Sequence, residues 1–276
     1  MCLNFLSILC FIVVLSFGYV YAQNCGESMF FRPNSTYDTN RRLILSTFPS
    51  KVSSQDGYYS GSVGEGSQRI YALGLCIPGT DPKVCSDCIE TASVGLLQNC
   101  PNQTDSWDWR ADKTLCFVRY SNPSFFDEID QNPNTTVCSS GVITENVTEF
   151  KSIWDDFMKN MIAAASVSTP GMPARRHYAA DISLPTPGFQ RFYALMQCLP
   201  GISSVNCDAC LKGNVRDYKG YCGKNIGGGV LTPVCLFRWD LYPYLGAFDK
   251  ITPQPISTRI IVAIVVSSVL FVHLLL

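Results

Sequence analysis

One stretch of this chain occurs twice. Arg69-Ile70-Tyr71-Ala72-Leu73-Gly74-Leu75-Cys76 leads to Cys85 and Cys88, and Arg191-Phe192-Tyr193-Ala194-Leu195-Met196-Gln197-Cys198 leads to Cys207 and Cys210. Each is an apolar, strand-like run that carries Tyr-Ala-Leu into Cys-x8-Cys-x2-Cys. Pro78-Gly79 and Pro200-Gly201 mark a turn after the first cysteine of each copy. A cysteine spacing kept inside matched flanks is a duplication. The length, 276 residues, suits about two domains of ordinary size.

The cysteines also speak to the compartment. Leu3 to Val20 is apolar, and Val20-Tyr21-Ala22 puts small residues at the −3 and −1 places for cleavage before Gln23. This predicts a secretory signal peptide over residues 1–22 rather than a retained anchor, although no Lys or Arg precedes the apolar run. Cleavage removes Cys2 and Cys10, so fourteen cysteines become twelve, six to a repeat. In an exported chain these are expected to be oxidised. Sequons at Asn34, Asn102, Asn134 and Asn146 suit the same route and are expected to put glycans over the first repeat and the linker. A net charge of −1 gives no basic field for nucleic acid and no acidic tail.

Along the first repeat, Leu43, Ile44, Leu45 and Phe48 predict a short helix over Asp38–Phe48. Gly57–Gly66 reads as strand and turn, its glycines wrongly placed for a phosphate loop. Ile70–Cys76 reads as a strand. Asp81 as N-cap and Pro82 in the first turn start a helix. Cys85, Cys88, Ala92 and Leu96 fall on one face of it. Asn99-Cys100-Pro101 ends it, and Trp107–Tyr120 reads as closing strands around Cys116. The first domain is expected over 23–127, a polar linker over 128–136 and the second domain over 137–248.

After Cys138, the residues Phe150, Ile153, Trp154, Phe157, Met158, Met161 and Ile162 form an amphipathic stripe, with Asn146 and Glu149 spaced as a capping box. A Pro/Gly loop over Thr169–Pro173, a strand, a turn and the Cys207/Cys210 helix follow. Then come Cys222, a Gly227-Gly228-Gly229 turn and one strand from Val230 to Trp239. A stalk over 249–259 leads to an apolar tail over 260–276, long enough at about 1.5 Å per residue to cover roughly 25 Å. The tail reads as a membrane span or as a GPI signal.

Cysteine pattern, Tyr-Ala-Leu lead-in and duplication together resemble the plant ginkbilobin-type domain, the salt-stress-response/antifungal domain. Tandem pairs of it occur in cysteine-rich receptor-like kinases, cysteine-rich repeat secretory proteins and plasmodesmata-located proteins. The resemblance covers about Cys25 to Phe248, and Phe237-Arg238-Trp239-Asp240-Leu241-Tyr242-Pro243 looks like the end of a receptor-kinase ectodomain. It implies an α+β fold: two tandem repeats, each of two helices on an antiparallel sheet of about five strands with three disulfides. It also implies the pairings Cys25–Cys100, Cys76–Cys85 and Cys88–Cys116, then Cys138–Cys222, Cys198–Cys207 and Cys210–Cys235. Spacing alone leaves many pairings of six cysteines open.

Catalytic and metal chemistry lack residues. The only histidines are His177, beside Arg175 and Arg176 on what reads as a solvated loop, and His273 in the tail. Cys-x2-Cys zinc or thioredoxin-type redox sites are displaced by disulfides in an oxidising lumen. Asp155-Asp156 and Asp127-Glu128 are neighbours in sequence and read as solvated faces. No cofactor is expected. Mannose-binding members of the family look to use an Asn directly after the first cysteine, an Arg six before the last and a Glu five after it. Those places hold Gly26, Arg110 and Ser121 in the first repeat, and Ser139, Gly229 and Asp240 in the second. Arg110 and Asp240 are therefore the candidate ligand-binding residues, but neither repeat keeps the set.

The sequence thus predicts a non-enzymatic, kinase-less plant protein of the plasma membrane or plasmodesmata, with its repeats outside the cell. Expected partners are receptor-like kinases, like ectodomains or cell-wall carbohydrate, in stress, defence or cell-to-cell signalling. The alternative is a secreted or GPI-anchored lectin-like antifungal protein for mannose-type glycans. The anchor prediction is direct to check: a phosphatidylinositol-specific phospholipase applied to intact cells should leave the tagged ectodomain on the surface. Release into the medium would overturn the membrane span.

Overall fold

The computed structural model describes residues 20–111, 113–126, 131–144, 146–167, 177–183, 190–244 and 246–249. In the first repeat the elements are β1 (Val20–Cys25), α1 (Thr36–Ser54), β2 (Tyr58–Val63), β3 (Ile70–Cys76), α2 (Pro82–Asn99), β4 (Asp105–Ala111) and β5 (Leu115–Ser121). The second has the same order: β6 (Thr135–Cys138), α3 (Val147–Ser166), β7 (Tyr178–Ile182), β8 (Tyr193–Cys198), α4 (Ser204–Cys222), β9 (Gly227–Leu231) and β10 (Cys235–Asp240).

Local chemistry starts the helices. The Asp81 carboxylate accepts from the Lys83 and Val84 N–H groups, with Pro82 in the first turn. The hydroxyls of Ser35 and Ser203 accept from the Asp38 and Asn206 N–H groups. Such caps contribute about 0.5–2 kcal/mol each. The expected Asn146 box does not form: Asn146 has φ 46° and no side-chain cap bond, where an N-cap needs extended backbone. The first helix also outruns its prediction. It passes through Pro49 to Ser54 because Phe48 and Val52 are fully buried and packing holds the last turn.

All strands pair antiparallel, in the order β1-β4-β5-β3-β2 and, in the second sheet, β6-β9-β10-β8-β7. Each repeat is therefore two helices on a five-stranded sheet. Cys76–Cys85 joins the end of β3 to the first turn of α2, Cys88–Cys116 joins α2 to β5, and Cys25–Cys100 joins β1 to the α2 end. Cys198–Cys207, Cys210–Cys235 and Cys138–Cys222 make the same three links in the second repeat. The triglycine departs from its predicted turn: Gly227, Gly228 and Gly229 lie inside β9, and the run read as one strand to Trp239 is two. A Cβ on Gly228 would lie 2.2 Å from the Val137 carbonyl oxygen, and Gly228 has φ +139°, so only glycine lets the strands close.

Alternation along β3 and β5 divides the side chains between two cores. Ile70, Ala72, Cys116, Val118 and Tyr120 meet the helices of their own repeat. Leu73, Leu75, Phe117, Trp107 and Trp109 join the core of the second repeat. The Trp109 indole N–H crosses to the Thr232 carbonyl at 2.8 Å, fully buried. Both faces of the first sheet are thus covered, and β5 is buried along its whole length.

Strand β1 begins inside the segment expected to be cut off, but Gln23, Asn24 and Cys25 pair with Asp108, Trp107 and Ser106 beyond the cut. No helix among the described residues is long and apolar enough to cross a membrane. The expected tail over 260–276, most of the leader, the Thr169–Pro173 loop and the start of the linker lie outside the described residues.

Cys88→Ser opens the bridge between α2 and β5 and leaves Cys116 as an odd thiol. A sequence separation of 28 corresponds to about 3–4 kcal/mol in the chain-entropy argument. The variant should be retained in the endoplasmic reticulum as disulfide-linked species, read by non-reducing gels and surface labelling. Normal surface delivery would show the bridge to be dispensable.

Candidate functional site

Strand register decides which residues of each repeat share a neighbourhood. In the second repeat Gly229 stands opposite Arg238, three residues past the last cysteine. In the first, the residue opposite the equivalent Arg119 is Trp107, not Arg110. The β4–β5 hairpin is longer than its counterpart, so counting back from the last cysteine lands on a different place. Arg110 instead faces Cys116 at the other end of β4. Gly26 donates its N–H to the Asp105 carbonyl, and Ser121 pairs with the same Asp105. Arg110 is five residues away along that strand, about 17 Å at ~3.4 Å per residue.

The three places of the second repeat do converge. The Ser139 N–H donates to the Gly227 carbonyl, and Gly227 pairs with Asp240. Their chemistry is already engaged: Asp240 is buried and its Oδ2 accepts from Arg238 Nε at 2.8 Å. Burial raises the Asp240 carboxyl, and the Arg238 guanidinium opposes that shift. Gly229 offers no side chain to a sugar. Arg110 and Asp240 belong to different sheets and make no common site.

Buried arginines are the functional groups that the sequence reading missed. Arg119 clamps Asp105 through two bonds of 3.2 and 2.9 Å and lies 4.3 Å from the Phe125 ring centre. Arg238 pairs with Asp240 and lies 4.2 Å from the Tyr244 ring centre. The signal was present: each arginine follows the last cysteine by three residues, and each aromatic follows its arginine by six. Arg41 is fully buried, and its guanidinium donates to the Cys100 and Pro101 carbonyls, the Tyr120 hydroxyl and Asp38. Burial pushes the Asp38 carboxyl up, but the Asn34 N–H, Arg41 and Arg42 outweigh it and hold it below the ordinary range.

His177 is not on a solvated loop. It is buried, with Nδ1 3.2 Å from the Ser166 carbonyl and Nε2 2.8 Å from the Ile202 carbonyl, and it carries no serine–carboxylate pairing. Its backbone is left-handed, φ 55°, and its burial is something a sequence pattern does not disclose. Asp155 is tied to Lys219 across the two helices of the second repeat, and Asp127-Glu128 lies outside the described residues. No group of three or more His, Cys, Asp or Glu among the described residues is placed to hold a metal. Asn34, Asn134 and Asn146 are exposed and Asn102 is half-buried; Asn146 adjoins α3, inside the second repeat.

Under α2, Asp108 is completely buried. Its Oδ2 accepts from Arg110 and from the Gln23 side chain, both at 2.9 Å. A Cβ on Gly95 would lie 2.3 Å from the Arg110 guanidinium, so a larger residue there would have to displace the end of that side chain. Burial pushes the Asp108 carboxyl up to about 6, with Arg110 and Gln23 opposing.

Comparison with known proteins places this arrangement. Residues 24–123 and 137–242 each match the family described as salt stress response/antifungal. The chain is 57% identical over 276 residues to putative cysteine-rich receptor-like protein kinase 32 of Arabidopsis thaliana, covering 96% of this chain and 41% of that kinase. A second Arabidopsis thaliana relative, also named a putative cysteine-rich receptor-like protein kinase, is 42% identical over 92% of this chain and 95% of its own length. The crystal structure of the tandem DUF26 ectodomain of the Arabidopsis thaliana cysteine-rich receptor-like protein PDLP8 shares the fold, with a TM-score of 0.64 at 23% identity over 80% of this chain and 97% of that one.

Asp108 sets a pH dependence. Unfolded, the carboxyl titrates near 3.8; folded, near 6. The folded chain therefore holds the extra proton between those values. The stabilisation is full below about 4 and is lost as pH rises through about 6. Between pH 5 and 7 the loss is about 1 kcal/mol. Asp108→Asn should remove that slope, measured by denaturant unfolding at each pH; an unchanged slope would exclude Asp108 as its source.

Proposed function

The chain belongs to the salt stress response/antifungal family, and from that premise we propose that it is a non-enzymatic recognition ectodomain at the plant cell surface. The observation that carries this reading is the match of both repeats, across nearly the whole chain, to receptor-like kinases whose own length it spans by about two-fifths. The repeats, proposed at 23–127 and 137–248, stand outside the plasma membrane or at plasmodesmata. Their twelve cysteines are oxidised in the secretory pathway, and glycans at Asn34, Asn102, Asn134 and Asn146 leave other faces for protein contact. Its partners are receptor-like kinases or like ectodomains, engaged in stress, defence or cell-to-cell signalling.

A lectin-like antifungal role is the second reading. It would need a free carboxylate and a free cation converging on one sugar. The engagement of Asp240 by Arg238 and the distance of Arg110 from Gly26 and Ser121 count against it.

Cross-linking the tagged full chain on living plant cells, followed by capture, should recover membrane proteins with kinase domains or like repeats, while a mannose resin retains nothing. Retention on the resin with no captured surface protein would reverse the two readings.

A further inference from the structure

The two repeats differ where the outer strand of each sheet meets the first helix. In the first repeat two side chains close that corner. Lys51 of α1 holds its ammonium 4.6 Å from the centre of the Tyr59 ring and donates to the Tyr59 hydroxyl at 2.9 Å; the same ring meets Phe48 edge-on at 5.5 Å. The second repeat has alanine at both places. Cys76 and Cys198 donate their N–H groups to the Gly57 and His177 carbonyls, so two residues on, Ala179 of β7 stands where Tyr59 of β2 stands. Ala164 of α3 follows Cys138 by as many residues as Lys51 follows Cys25. Met196 takes the place of Gly74, but it is fully buried and does not line the space that the alanines leave.

That space is a cavity of about 640 Å³ between α3 and β7, within the roughly 300–1,000 Å³ of small-molecule sites. Its apolar walls are accessible: Ile153, Phe157 and Ala179 are half-buried, and Ala164 is exposed. Asp181 is exposed and is the one charged residue among the described lining residues. It stands in the place of Gly61, where a Cβ would lie 2.7 Å from the Tyr59 hydroxyl. In the first repeat that hydroxyl receives the Lys51 ammonium, so a side chain at the Asp181 place is within reach of both. One Asp181 oxygen accepts from the Ile182 N–H at 2.8 Å, and a carboxylate has further acceptor sites to offer. Relative to the first repeat, this corner has lost a ring and a cation and gained a carboxylate. An anion here would meet Asp181 with no lysine or arginine among the described lining residues to offset it.

We propose that this cavity binds one small aromatic amine, its ring beside Ala164 and Ala179 where the first repeat places Tyr59, and its ammonium paired with Asp181. The site is confined to the second repeat, because Lys51 and Tyr59 occupy its counterpart in the first. This goes beyond the ectodomain reading and holds whether or not that reading does, since it depends on the fold of the second repeat alone.

The test is calorimetric titration of the purified full chain with phenethylamine, butylamine and phenylacetate. Phenethylamine should bind saturably. Butylamine, which lacks the ring, and phenylacetate, which reverses the charge, should each bind about tenfold more weakly or worse. Asp181→Asn keeps the size of the side chain and removes its charge; losing a hydrogen bond between charged groups should weaken phenethylamine about tenfold. Ala164→Lys with Ala179→Tyr installs the pair of the first repeat and should abolish binding. Because that double change risks misfolding, Ala164→Lys alone serves as the second variant. Ala164 is exposed on a helix that lysine suits, so thermal unfolding should be unchanged while its ammonium competes for Asp181 and weakens phenethylamine about tenfold. Phenylacetate or butylamine binding as tightly as phenethylamine would overturn the ligand class. Phenethylamine binding untouched by either Asp181→Asn or Ala164→Lys, or no saturable phenethylamine binding at millimolar concentration, would overturn the site.

Discussion

The covalent corner between a central strand and the helix that follows it is the constraint on which each repeat depends. Cys76–Cys85 and Cys198–Cys207 close that corner over a separation of nine residues. The next cysteine, one helical turn on, reaches the strand beside it, because β5 lies against β3 and β10 against β8. A helix held at its start to two adjacent strands, and near its end to a third by Cys25–Cys100 or Cys138–Cys222, has little freedom left. Domains of this size hold only about 5–15 kcal/mol of net stability, so links of a few kcal/mol each are a large share.

What the bridges leave open is the far face of each sheet. On β3 and β5 that face is Leu73, Leu75 and Phe117, joined by Trp107 and Trp109 from β4. An apolar sheet face of this kind must be covered, and in this chain the second repeat covers it. The Trp109 N–H meets the Thr232 carbonyl there, which satisfies the one polar atom of a large buried ring. Arg119 and Arg238 are tolerated in the buried strands because each is paired with a carboxylate and lies against an aromatic ring. The same arginine and the same aromatic spacing in both repeats show one solution used twice.

The copies diverge at the helix–sheet interface, where one repeat buries a guanidinium and the other an indole. Arg41 needs carbonyls and a hydroxyl brought to it; the Cys100–Pro101 segment supplies the carbonyls and Tyr120 the hydroxyl. Trp154 takes its contacts from rings, packing with Tyr218, Phe237 and Trp239. Two copies of one fold thus present two chemically different interiors.

Local and periodic features were settled by the sequence itself. The duplication, the cysteine count, the Asp81 cap with Pro82 and the apolar stripe of α3 depend only on neighbours within a few turns of chain. The resemblance of the repeats to a known domain then supplied the number of helices and strands. Tertiary structure alone decided the rest, because it turns on what lies across a sheet or behind a helix. A few extra residues in the β4–β5 hairpin moved Arg110 away from Gly26 and Ser121 and set Trp107 opposite Arg119. The approach of β6 to β9 made a strand of the triglycine that composition marks as a turn. Packing carried α1 past Pro49, and the Ser166 and Ile202 carbonyls received the His177 ring in the interior. Register, burial and ring-to-ring contact are properties of pairs distant in sequence, and no local pattern encodes them.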